Sequence, residues 1–138
     1  MQDNHDNEAG GRRQFLKCMA WAGAGTLWLM KGGVLHAHAL GEGAKAAATD
    51  ASFSFAQISD SHIGFHKEPN MDVVGTLRAS VALVNAQAAR PDFLLHTGDL
   101  THLSKPEEFD TLAGVMQESH TRKVFYVPGE HDVIGDNG

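Results

Sequence analysis

Cysteine is nearly missing from this 138-residue chain, where Cys18 is the only one. A lone thiol excludes an intramolecular disulfide and any cysteine-rich zinc site. Positive charge is scarce too, with 11 Lys and Arg against 17 Asp and Glu and a formal net charge of −6. The deficit lies after residue 39, where seven Lys/Arg face fourteen Asp/Glu. Such a surface argues against non-specific nucleic-acid binding, which depends on Lys and Arg neutralising phosphates. A phosphate-handling protein with this charge needs cations to attract its substrate. No apolar run is long enough to span a bilayer comfortably as a permanent helix. No Gly-rich phosphate loop follows the first strand, so a dinucleotide-binding domain is excluded. There is no internal repeat. Hydrophobic residues at 42% and charged residues at 20% fit a globular domain.

Against these absences stands one recurring arrangement. Three apolar runs each end in a cluster of metal-ligating and acid/base residues. Phe53–Ser59 leads into Asp60-Ser61-His62, Phe93–Thr97 into Gly98-Asp99-Leu100-Thr101-His102, and Val124–Val127 into Pro128-Gly129-Glu130-His131-Asp132. If the runs are parallel strands, their C-terminal ends share one edge of the sheet, where open α/β folds place their active sites.

The intervening segments support that reading. Val73, Val74, Leu77, Val81, Val84 and Ala88 recur at helical spacing between Met71 and Arg90, and Pro91 stops the helix. Phe93, Leu94 and Leu95 form a continuous run, as expected for a central strand buried on both faces. Ser104-Lys105-Pro106-Glu107 has the form of a capping box that opens a second helix, with Phe109, Leu112, Val115 and Met116 as its core stripe. Strand, helix, strand, helix, strand is the order of a parallel α/β sheet.

The first forty residues read as an address. Gly11-Arg12-Arg13-Gln14-Phe15-Leu16-Lys17 resembles a twin-arginine export signal. The moderately apolar stretch Cys18–Met30 follows, and Ala37-His38-Ala39 has the small-x-small form of a signal-peptidase site. The expected organisation is a signal peptide over 1–39, a flexible linker over 40–52 and the N-terminal part of an α/β domain over 53–138. Export in folded form implies a periplasmic or extracellular location, with the twin-arginine machinery and signal peptidase as partners and no stable membrane anchor.

The strand-end residues suit a metal site. Asp60 and His62, two residues apart, can turn a carboxylate oxygen and an imidazole nitrogen onto one ion of the Fe, Mn or Zn kind. Asp99 follows Gly98, which permits a tight turn and close ligand approach, and its carboxylate can bridge two cations. Glu130 offers another oxygen, His131 is an acid/base candidate, and Asp132 can fix its tautomer or raise its pKa. His66 and His102 lie near the motifs, either touching substrate or solvated. His96 is expected to pack at the strand end.

Asp-x-His, Gly-Asp and Gly-x-His-Asp, each after a strand and in this order, resemble the motif series of the calcineurin-like metallophosphoesterases over residues 53–132. The resemblance implies the first βαβαβ half of a β-sandwich flanked by helices. It also implies hydrolysis of a phosphomonoester or phosphodiester, on a small-molecule or nucleotide-type substrate, by a hydroxide held between two metal ions. Fe or Mn is expected, Zn being possible. Asp60 and His62 then bind the first ion, Asp99 bridges both and Glu130 binds the second. His131 protonates the leaving alkoxide or contacts the phosphoryl oxygens, and Asp132 orients it. Two departures accompany the resemblance. The family's third motif carries Asn where this chain has Glu130. Its further His and Gly-His-x-His motif lie well downstream of the point where this chain stops, so the chain is expected to be a C-terminally truncated part of such an enzyme. The alternative is a non-catalytic metal-binding remnant or inactive fragment.

Overall fold

Where apolar residues alternate or run together the chain forms strands, and three of them lie parallel. In the computed structural model, residues 25–40 and 52–135 are described. They form β1 (Thr26–Lys31), β2 (Val34–Ala39), β3 (Phe53–Ser59), α1 (Val73–Asn85), β4 (Phe93–Gly98), α2 (Pro106–Met116), β5 (Val124–Pro128) and a 3₁₀ turn over Glu130–Val133. The five strands make one sheet in the order β2-β1-β3-β4-β5. β3, β4 and β5 are mutually parallel, whereas β1 is antiparallel to both β2 and β3. The βαβαβ order expected from the sequence is therefore present.

The hairpin was not expected. Thr26–Ala39 falls on the span that reads as the end of a cleavable leader, yet here it extends the sheet. The physical reason is local. Leu27 and Leu29 alternate with Trp28 and Met30, so one side of β1 is buried. Gly32 and Gly33 both have positive φ, 59° and 80°, as a two-residue type I′ hairpin turn requires. The twin arginines and most of the expected linker lie outside the described residues. No helix among the described residues is long and apolar enough to cross a membrane.

Both helices cover one face of the sheet. Leu27, Leu29, Ala56, Ile58 and Leu94 from the strands join Val73, Leu77, Val81, Val84, Leu112, Val115 and Met116 from the helices in one core. Each fully buried Leu or Ile contributes about 1.5–3 kcal/mol by leaving water. The other face carries an aromatic row across four strands. Trp28 stacks on Phe55 at 5.9 Å, Phe55 on Phe93 at 4.8 Å, and Phe93 meets Phe125 edge-on at 5.5 Å. Beneath that row the Trp28 indole donates to Gln57, which donates to Thr97. β4 is thus covered on one face only, not on both, and Phe125, Tyr126 and Val127 of β5 are exposed.

The helices are shorter or shifted at their starts. Asp72 caps α1 by accepting the Gly75 N–H at 2.8 Å. α1 ends at Asn85, whose side chain bonds the Glu118 carbonyl and the His120 N–H, so the chain leaves the helix before Pro91. Lys105 rather than Ser104 is the residue before α2, and Glu108 rather than Glu107 reaches back to accept the Leu103 and Lys105 N–H groups.

Candidate metal centre

Parallel pairing continues past the strand ends and fixes the site. Asp60 N–H donates to the Thr97 carbonyl, His62 N–H to Asp99, Ile63 N–H to Leu100, and His102 N–H to Ile63. The loops after β3 and β4 therefore run together as the strands did. Asp60 and His62 sit in left-handed backbone, with φ of 55° and 43°. Asp and His enter that region more readily than most residues, and such strain concentrates at functional sites.

Two glycines make room for the acids, each beneath a carboxylate from the preceding motif. A Cβ on Gly98, whose φ is +75°, would lie 2.5 Å from Asp60 Oδ1. A Cβ on Gly129 would collide with Asp99 Oδ1 and lie 2.8 Å from the Asp99 backbone nitrogen. The carboxylates are thereby held close to the neighbouring backbone. The Ser59 hydroxyl donates to Asp60, and His131 N–H donates to Asp99 Oδ1 at 3.0 Å.

The predicted ligands converge. Asp60, His62 and Asp99 each offer a donor atom within 4.8 Å of the others, and so do Asp99, Glu130 and His131. Asp99 belongs to both groups, which suits an acid shared between two ions. His62 Nε2 lies 3.7 Å from Asp99 Oδ2, a spacing open enough for a cation to enter between them. A mixed oxygen and nitrogen donor set fits borderline transition ions, so the residues present fit metal binding.

His131 and Asp132 are both at the site, but not in the relation expected. Asp132 does not orient the imidazole. It is buried, and its oxygens accept from Leu100 N–H at 3.0 Å, Thr101 N–H at 2.7 Å, Thr101 Oγ1 at 2.7 Å and Gly129 N–H at 2.9 Å. Burial alone raises the Asp132 pKa, but these four donors outweigh it and hold the carboxyl below its usual range. The carboxylate faces the backbone because it ties the turn after β4 to the turn after β5.

The group that orients His131 is the backbone carbonyl of His102, 2.7 Å from Nδ1. A carbonyl only accepts, so Nδ1 carries the proton and Nε2 is the free nitrogen. That hydrogen bond raises the His131 pKa, opposed by desolvation and assisted by Asp99, Glu130 and Asp132. The sequence left His102 undecided together with His66, and the place of His102 three residues after Asp99 was the available signal. His66 is exposed and belongs to none of these donor groups. His96 is fully buried under the site with neither ring nitrogen hydrogen-bonded. Desolvation lowers its pKa to about 4, against the pull of Asp132 and Asp60.

A cavity of about 400 Å³ adjoins the cluster. Asp60, His62 and His102 line part of it, and Ile58, Phe65, Pro69, Val73 and Leu77 give it apolar walls.

An α/β domain with adjacent three-donor groups sharing one acid at the strand ends has the arrangement of a metal site. The chain belongs to the calcineurin-like phosphoesterase family, whose family model matches residues 53–138. That family carries out phosphoester hydrolysis with divalent metal ions. No curated protein matches the chain.

Proposed function

We propose that the domain hydrolyses phosphoester bonds at a dinuclear metal centre. Asp60, His62 and Asp99 would hold one ion, and Asp99 with Glu130 would hold the other. The observation that supports this most directly is the position of Asp99, whose carboxylate lies within 4.8 Å of donor atoms of Asp60 and His62 and also of Glu130. When bound, such ions activate water at neutral pH and stabilise charge on the transferring phosphoryl group. The chain's own residues then divide the remaining work. Gly98 and Gly129 let Asp60 and Asp99 lie close against the neighbouring turns. The His102 carbonyl holds the Nδ1 proton of His131, leaving Nε2 to carry a second proton to the leaving alkoxide. The carbonyl bond from His102 raises the His131 pKa and so favours that protonated form. The apolar cavity beside Asp60 seats the organic part of the ester.

Iron or manganese suits this mixed donor set, and zinc is admissible. The test is hydrolysis of a chromogenic phosphodiester and the matching monoester by the Mn²⁺-loaded full chain. His131→Gln should lower kcat by about 10²–10⁴-fold while Mn²⁺ binding, followed by calorimetry, persists. Metal binding without turnover of either ester would instead assign the chain as a non-catalytic metal-binding remnant.

We also propose twin-arginine export, on the strength of Arg12-Arg13 followed by Phe15-Leu16-Lys17. Cleavage after Ala39 would remove the β1–β2 hairpin and leave β3 at the sheet edge. Intact mass of the exported protein decides the matter, since a product that retains residues 26–39 would sink the leader reading.

A further inference from the structure

His102 has no part in the ligand set just proposed, yet its ring completes a second constellation. His62 follows β3, His102 follows β4, and His131 lies in the 3₁₀ turn after β5. Their rings meet pairwise: His102 stacks on His131 at 5.1 Å, His62 meets His131 edge-on at 5.2 Å, and His62 meets His102 at 6.0 Å. One nitrogen from each lies within 4.8 Å of the other two. All three backbones are pinned, His62 to the Asp99 carbonyl, His102 to the Ile63 carbonyl and His131 to Asp99 Oδ1.

We infer that His62, His102 and His131 form a three-imidazole site for a late divalent transition ion of the Cu²⁺, Ni²⁺ or Zn²⁺ class. Three neutral nitrogen donors favour such ions over Mn²⁺, which binds this donor type more weakly. His131 has Nδ1 engaged by the His102 carbonyl, so its ligand atom is Nε2. That carbonyl bond is the kind of outer contact that fixes a ligating imidazole. His102 Nδ1 is buried with no hydrogen-bond partner, an unmet polar atom beside the cluster. The Asp99 Oδ2 oxygen lies 3.7 Å from His62 Nε2, on the side of His62 that faces the acids. Three imidazoles with a fourth position left open are a familiar environment for zinc.

The site shares His62 and His131 with the proposed phosphoesterase centre. An ion held by three imidazoles withdraws one metal ligand and the proton donor together, so it inhibits. This consequence rests on the proposed function, whereas the site itself does not.

The experiment uses the full chain with His36→Ala and His38→Ala. Exposed His36 and half-buried His38, two residues apart on β2, would otherwise offer Cu²⁺ a competing pair. With one equivalent of Cu²⁺ at neutral pH, nitrogen couplings in the electron paramagnetic resonance spectrum count the coordinated imidazoles. Three are expected, falling to two in His102→Gln and in His102→Phe. Cu²⁺ affinity should fall by about 10–100-fold in both variants, while Mn²⁺ affinity holds. Two or fewer imidazoles in the parent, or an unchanged count on loss of His102, would overturn the site. If a variant does not fold, the parent's count alone decides. Zn²⁺ inhibition of Mn²⁺-supported hydrolysis, relieved in His102→Phe, tests the regulatory consequence. If no hydrolysis occurs at all, the phosphoesterase reading fails while the imidazole count still stands or falls by itself.

Discussion

Asp99 and Asp132 lie at neighbouring turns and both accept backbone N–H groups, yet they are opposites. Asp132 is 7% exposed and its two oxygens take four donors. Asp99 takes one N–H at Oδ1, from His131, and leaves Oδ2 with only a loose approach from His62. A carboxylate saturated by fixed dipoles has no reason to bind a cation, and one left half-satisfied among other donors does. The edge of the sheet is therefore two layers, a satisfied floor that stabilises and an under-satisfied rim left open to a cation.

Breaking the floor should have the largest effect. Asp132→Ala leaves the buried N–H groups of Leu100 and Thr101 without their acceptor and should destabilise the fold by about 4 kcal/mol, read as a fall in the urea midpoint. Its pH dependence has a definite sign. The folded pKa lies below the ordinary value, so Asp132 contributes fully above the unfolded pKa and that contribution is lost as pH falls through the folded one.

The second floor group titrates higher. His96 is buried neutral with its pKa lowered to about 4. Between its unfolded value of about 6.5 and that folded value the unfolded chain binds more protons, so stability falls as pH drops through this window. At 1.36 kcal/mol per unit the loss is about 3 kcal/mol. His96→Leu should flatten the curve of urea midpoint against pH there, and an unchanged curve would show that another group dominates.

On the rim the ranking reverses, with large effects on binding and small ones on stability. Asp99→Asn should weaken Mn²⁺ binding by at least about 100-fold and shift stability by less than about 1 kcal/mol, as calorimetry and urea titration would register. A larger stability loss would mean that Asp99 is a floor residue after all. The smallest effect belongs to Glu130, exposed at the outer end of the cluster. Glu130→Asn removes a negative charge near the phosphate and should raise the monoester-to-diester ratio of kcat/KM by less than about tenfold. An unchanged ratio would show that this charge does not select between substrates.

The rim was legible in the sequence and the floor was not. Asp60, His62, Asp99, Glu130 and His131 announced themselves as polar clusters ending apolar runs, and the observed strands differ from those runs by a residue or so. What Asp132 touches depends on how the turns after β4 and β5 pack, and no periodicity encodes that. The adjacency of His131 and Asp132 in the chain suggested a pair, whereas the 3₁₀ turn sends the two side chains to different partners. The β1–β2 hairpin was hidden for another reason. Its alternation is short, and an apolar, Gly-containing stretch after paired arginines also satisfies the pattern of a leader. The one-sided burial of β4 was equally invisible, since Phe93-Leu94-Leu95 serves a covered face and an aromatic row alike.

The two glycines beneath the carboxylates have a genetic consequence. Because Gly98 yields space to Asp60 and Gly129 yields space to Asp99, damage at either glycine should be inherited as a defect of the acid one motif earlier. The three motifs are thus a single heritable unit, and a suppressor of a Gly98 lesion is to be sought around Asp60.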